Sequence, residues 1–159
     1  MKLGIPVKIS DVSDGSQWPF FLIPVVLNGQ GPFDFALEIH YGKTTLFREC
    51  VAKLDLDVET VATTITMPGH GCELDFPVLR LSSIEVGAAT LQDFEVMVFA
   101  TRDVRYHATD DTDPRPQISM MKAEYDTSPA IPYFGILGYD FLKNFKVTFD
   151  FKGSQLFLT

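Results

Sequence analysis

Residues 20–39 constrain the fold of this chain more than any other stretch. Residues 20–27 are a β-rich apolar run containing Pro24, followed by Asn28-Gly29 and Gly31-Pro32. Asn and Gly accept positive φ and Pro presets its own, so this is turn chemistry and the run must double back as a hairpin. The return segment, residues 33–39, sets Phe33, Phe35 and Leu37 on one face and Asp34, Ala36 and Glu38 on the other. That period of two predicts a half-buried strand, with Glu38 turned away from the apolar face.

The rest of the chain continues the β pattern. Fourteen phenylalanines, many in alternating stretches, suit pleated, half-buried surfaces. Phe47, Val51 and Leu54 lie at helical spacing, with Thr44 or Thr45 available to cap, which predicts one short helix. Residues 60–67 are rich in threonine, valine and isoleucine, and Pro68-Gly69-His70-Gly71 interrupts before residues 72–81 resume as a strand. A second hairpin is expected there. Residues 84–86, a turn at Gly87 and residues 91–99 give two more strands. Residues 101–132, centred on Asp110-Asp111-Thr112-Asp113-Pro114-Arg115-Pro116, show no periodicity and predict a long polar loop, with His107 inside it and no evident partner. No internal repeat is present, which argues against two fused lobes within these residues.

A length of 159 residues with 46% apolar content suits one domain. Thirteen basic against 21 acidic residues give a net charge of −8, which disfavours nucleic-acid backbones and anionic lipid. Cys50 and Cys72 are too few and too far apart for a disulfide framework or zinc knuckle. The N-terminus lacks the apolar core of a signal peptide, and residues 20–27 fall far short of the roughly 20 apolar residues that cross a bilayer. No HExxH, CxxC pair, GxSxG or phosphate-cradling glycine motif occurs.

Two landmarks carry a resemblance. Phe33-Asp34-Phe35-Ala36-Leu37-Glu38-Ile39-His40-Tyr41-Gly42-Lys43-Thr44-Thr45-Leu46 follows the first hairpin, and Gly135-Ile136-Leu137-Gly138-Tyr139-Asp140-Phe141-Leu142 lies near the end, before Phe145-Lys146-Val147-Thr148-Phe149-Asp150-Phe151. Together they resemble the retropepsin-like aspartic protease family over nearly the whole chain. The resemblance implies an all-β fold, a small closed barrel with one or two short helices, acting as a two-fold homodimer. In that family a strand runs into Asp-Thr-Gly-Ala. Laid on without gaps, the pattern puts the aspartate at Glu38, the threonine at Ile39, the glycine at His40 and the alanine at Tyr41, so all four differ. It also assigns Met67, Gly69, His70 and Gly71 to a flap that closes over bound peptide and bends at its glycines.

Aspartic protease chemistry needs two carboxylates sharing one proton, because like charges about 3 Å apart cannot both ionise. A single lobe takes its second carboxylate from a symmetric partner. Glutamate's extra methylene displaces the carboxylate on the order of 1 Å, enough to cost about 100-fold. His40 adds a ring where the family glycine lets two loops approach, and Ile39 has no group to replace the threonine hydroxyl that ties them together. Glu38 and His40, two apart in an extended segment and doubled by symmetry, admit a metal site or an acid-base pair as one reading; the simpler reading is residues that have drifted once chemical demand lapsed. His70 reads as a solvated turn residue, Tyr139-Asp140 as the start of the closing helix and Asp150 as structural.

The expectation is a degenerate, non-catalytic domain that binds an extended peptide in its cleft or acts as a dimeric scaffold, with no cofactor or metal. The alternatives are an endopeptidase using Glu38 in place of aspartate, and the inactive lobe of a longer two-lobed protease.

Overall fold

The computed structural model describes residues 4–9, 21–56, 62–67, 72–99, 105–108 and 133–159, with strand backbone alone at 62–67, 72–75 and 105–108. Its strands are β1 (Ile5–Pro6), β2 (Lys8–Ile9), β3 (Phe21–Leu27), β4 (Gln30–Leu37), β5 (Thr45–Phe47), β6 (Ala62–Met67), β7 (Cys72–Val86), β8 (Ala89–Phe99), β9 (Arg105–Ala108), β10 (Gly135–Leu137), β11 (Val147–Asp150) and β12 (Gln155–Leu158). Two short helices, α1 (Arg48–Lys53) and α2 (Tyr139–Leu142), complete it.

Six strands close a barrel in the order β3-β4-β10-β5-β8-β7, because β7 returns to pair with β3 at Val26↔Glu85 and Leu27↔Ile84. The first hairpin supplies two of its staves. Asn28 and Gly29 take positive φ at its turn, as the residue types require. Ile23, Val25, Leu27 and Phe35 are fully buried, while Phe33 and Leu37 pack against the same core from partly exposed positions. Asp34, on the other face, pairs with Lys8 at 2.9 Å near the surface. The register read from the alternation is therefore the one adopted, although Ala36 is buried as well. Each such apolar side chain contributes roughly 1.5–3 kcal/mol on burial.

Several expectations are corrected. β7 runs unbroken from Cys72 to Val86 rather than stopping near residue 81. The buried parity changes along it, from Leu79 and Leu81 to Ile84 and Val86. At the change, Asn28 Oδ1 accepts from Ser82 Oγ and Ser83 N, and Asn28 N donates to Ser83 O. Two adjacent serines with a polar partner let the strand turn a new face inward where it meets β3. The helix begins only after β5, with Phe47 at its N-cap and no side-chain cap, so Thr44 and Thr45 do not cap it. Val51 and Leu54 are buried as the helical spacing requires.

The second hairpin forms, with β6 against β7 from Ala62↔Pro77 to Met67↔Cys72. The turn at 68–71, with Gly69, His70 and Gly71, lies outside the described residues. Within the stretch read as a polar loop, residues 105–108 form β9, which pairs with β7 and places His107 opposite Glu73. Single-strand periodicity could not reveal this, because a four-residue strand is defined by its partner. The aspartate-rich centre of that stretch also lies outside the described residues.

A three-stranded sheet in the order β1-β12-β11 packs beside the barrel. The terminal strand β12 is its middle member, paired with both β1 and β11. β11 belongs to this sheet rather than to the barrel, yet Phe149 and Leu156 join the shared core. Asp150 Oδ1 accepts from Gly153 N in the β11–β12 turn, a structural role.

Cys50 on α1 is wholly buried and free. Burial pushes its thiol up from 9.0 to about 12, with nearby Lys53 pulling slightly the other way. The folded state thus favours the neutral thiol, a preference fully present below the ordinary thiol range and lost as pH rises toward about 12. We expect denaturant midpoints to fall between about pH 9 and 12, and Cys50→Ala to flatten that fall. A thiol reagent at pH 8 should label Cys50 only after unfolding.

Candidate functional site

The site is the seven-residue passage from Glu38 to Thr44 between β4 and β5. β10 inserts between those two strands, parallel to β4 (Gly135↔Phe35) and antiparallel to β5 (Gly135↔Leu46). Gly135 fits there because a Cβ would collide with Thr45 O and the Phe35 ring. The passage is then held mostly by backbone. Glu38 N donates to Leu137 O at 3.1 Å, Tyr139 N to Tyr41 O at 2.7 Å and Met97 N to Thr44 O at 2.9 Å. A Cβ at Gly138 would stand 2.7 Å from Lys43 C and 2.8 Å from Tyr41 O, so only glycine lets the loop lie against α2.

Asp140 completes the clamp. Its Oδ1 accepts from Thr44 Oγ1 at 2.7 Å, Thr44 N at 2.8 Å and Phe141 N at 2.9 Å, and Thr44 Oγ1 accepts from Gly138 N at 3.1 Å. Thr44 is fully buried. The first-turn placement read for Asp140 is correct, and its carboxylate also reaches back to the site loop, which sequence separation concealed.

The side chains at the four motif positions behave differently from one another. β4 ends at Leu37, so Glu38 and His40 do not lie in an extended strand; Ile39 and His40 form a turn in which Tyr41 N donates to Glu38 O at 3.2 Å. The turn nevertheless brings Glu38 Oε2 to 3.1 Å from His40 Nδ1, with His40 largely exposed and Glu38 about a quarter exposed. Ile39 points outward at 68% exposure. Tyr41 is half-buried, and burial raises its phenol.

Tyr133 is a site residue the sequence reading missed. Burial raises its phenol, and the negative charge of Glu38 and then Tyr41 push in the same direction, so it lies within electrostatic reach of the Glu38 turn. Its only sequence signal is its position two residues before Gly135. From Tyr133 an aromatic wall extends to Phe47 (centroids 5.5 Å), Phe99 (6.3 Å from Phe47) and Phe76 (5.7 Å from Phe99). Of the residues read as flap, Met67 ends β6, and Gly69, His70 and Gly71 fall outside the described residues.

Chemically, the turn presents one carboxylate with an imidazolium or imidazole partner and a nearby phenol. Among the described residues no group of three His, Cys, Asp or Glu is placed to hold a metal ion. None of their helices is long and apolar enough to cross a membrane.

A closed six-stranded barrel whose site loop is split by an inserted strand and followed by a short helix is the retropepsin-like acid-protease fold. Among solved structures, the chain is similar to a retropepsin-like aspartic protease from Rickettsia conorii, at 18% identity and a TM-score of 0.53, over 99% of this chain and 89% of that one. The retroviral protease-like domain of Ddi1 from Leishmania major aligns at 10% identity and a TM-score of 0.45, over 88% of this chain and 94% of that one. No protein-family model and no curated protein sequence matches the chain.

Asp140→Ala removes the acceptor for three donors, of which Thr44 Oγ1 and Thr44 N are buried with their residue. We expect a loss of about 2–4 kcal/mol in denaturant unfolding, with Asp140→Asn losing less because it keeps one acceptor oxygen.

Proposed function

We propose that the domain is a non-catalytic member of the retropepsin-like class that binds an extended peptide in its cleft and associates as a two-fold dimer. The observation that carries this reading is the Glu38–His40 pair at 3.1 Å. In the aspartic mechanism two carboxylates share one proton and activate water. Here the carboxylate is engaged by an imidazole on its own turn, and that imidazole occupies the position where the resemblance calls for glycine. The carboxylate oxygen that a water would need is thus occupied at 3.1 Å by a ring nitrogen, and a histidine ring fills the place of the glycine that lets two such turns approach. Ile39 supplies no hydroxyl to tie them.

Peptide binding is supported by the elements around the turn. The β6–β7 hairpin presents strand backbone of the kind that pairs with an extended ligand, and the partly exposed Tyr133 and Phe99, backed by buried Phe47 and Phe76, offer apolar surface for its side chains. The barrel retains the features that hold a chain, while the turn lacks those that cut it.

Purified protein should leave unfolded casein and a peptide library intact between about pH 3 and 7, the window of a shared-proton carboxylate pair. Glu38→Gln should leave fold and peptide affinity nearly unchanged. Cleavage abolished by Glu38→Gln would sink this reading in favour of an endopeptidase using Glu38. Converting Glu38, Ile39, His40 and Tyr41 to Asp, Thr, Gly and Ala should make activity appear if the cleft is otherwise intact.

A further inference from the structure

Beside the Glu38 turn lies a hollow of about 520 Å³, the size of a small-ligand site. Three phenylalanines build its wall: Phe21 from β3, Phe149 from β11 and Phe151 from the turn that follows. The centroids of Phe149 and Phe151 are 4.4 Å apart with their planes 39° from each other. Phe21 stands across them, at 5.2 Å and 66° from Phe149 and at 6.0 Å and 71° from Phe151. Rings set at such angles form a corner rather than a stack, and Phe151 keeps 71% of its surface exposed there. Leu37, Ile39 and Val147 add aliphatic lining, and among the described residues that line the hollow Glu38 alone is charged. The aromatic residues that offer surface to a peptide, Tyr133, Phe47, Phe99 and Phe76, are not part of this lining.

We propose that this hollow binds a small quaternary ammonium ion, with the methylated nitrogen in the phenylalanine corner and its charge toward Glu38. The face of an aromatic ring carries negative charge and attracts a cation placed over it. The remaining choices of guest fit less well. A neutral apolar molecule would strip water from around Glu38 and offer it no opposite charge in return. A primary ammonium brings three N–H donors, and a wall of phenylalanine and aliphatic side chains accepts none of them. Methylation removes the donors and keeps the charge, so this lining selects the methylated cation over both.

The surroundings agree. His40 Nδ1 stands 3.1 Å from Glu38 Oε2, and an imidazole that donates there while neutral leaves the charge of the carboxylate whole. The net charge of −8 favours the approach of a cation and opposes that of an anion. A trimethylammonium head fills only part of about 520 Å³, which leaves Leu37, Ile39 and Val147 to receive a short apolar tail. The assignment stands on this hollow alone and does not rest on the peptide or dimeric reading above.

The test is a titration of the full chain at pH 8, followed by nuclear magnetic resonance, with three probes: choline, its uncharged isostere 3,3-dimethylbutan-1-ol, and the primary amine ethanolamine. Choline should bind at least about 10-fold more tightly than either of the others. Butyltrimethylammonium, which carries an apolar tail, should bind more tightly than choline. Phe151→Leu keeps an apolar side chain but removes a ring face, and should weaken choline about 5-fold or more, whereas Phe151→Tyr should retain binding. Glu38→Gln should weaken choline to a similar degree, and the exposed Gln92→Ser, outside the hollow, should change nothing. Far-ultraviolet circular dichroism checks that each variant remains folded. Equal binding of choline and its neutral isostere overturns the proposal, as does equal binding of ethanolamine. No response to choline up to about 50 mM, or binding indifferent to both Phe151→Leu and Glu38→Gln, also overturns it. Since Glu38→Gln leaves peptide affinity nearly unchanged in the reading above, either site can fail in these measurements without the other.

Discussion

Asp140 Oδ1 accepts hydrogen bonds from Thr44 N, Thr44 Oγ1 and Phe141 N, and through them the site loop, the inserted strand and the closing helix become one rigid unit. Everything at the functional end depends on this junction. β10 fits between β4 and β5 only because Gly135 and Gly138 leave room for neighbouring backbone, and α2 begins where it does because Asp140 satisfies an orphan N–H of its first turn. The two landmarks of the sequence, about 100 residues apart, are thus two halves of one structural device.

That device explains how the motif positions can change while the fold persists. The contacts that hold the loop at 38–41 use Glu38 N, Glu38 O, Tyr41 N and Tyr41 O, all main-chain atoms. Main-chain hydrogen bonds are indifferent to the side chain that accompanies them. Glu38, Ile39, His40 and Tyr41 are therefore held in place whatever side chains they carry, and Glu38 Oε2 finds a local partner in His40 Nδ1 at 3.1 Å.

The same loop borders a face that exposes Ile39, Tyr139, Val147 and Phe151. Aromatic contacts such as Phe21 with Phe149 at 5.2 Å and Phe149 with Phe151 at 4.4 Å bring rings from the barrel and the small sheet together at its rim.

The sequence by itself determined the local elements with strong patterns. The Asn28-Gly29 hairpin, the inward set of Phe33, Phe35 and Leu37 and the second hairpin were legible, because turn chemistry and period-two alternation act over a few residues, while the helical start at Tyr139-Asp140 came from the family resemblance. Only the tertiary structure decided what long-range pairing controls: β9 inside a stretch without periodicity, the placement of β12 between two partners, and the unbroken course of β7 past Ser82 and Ser83. It likewise decided that Thr44 serves Asp140 instead of a helix cap, and that Tyr133 stands beside Glu38. Those outcomes depend on which segments meet in space, and a strand or a hydrogen-bond acceptor has no signature in sequence until its partner is known.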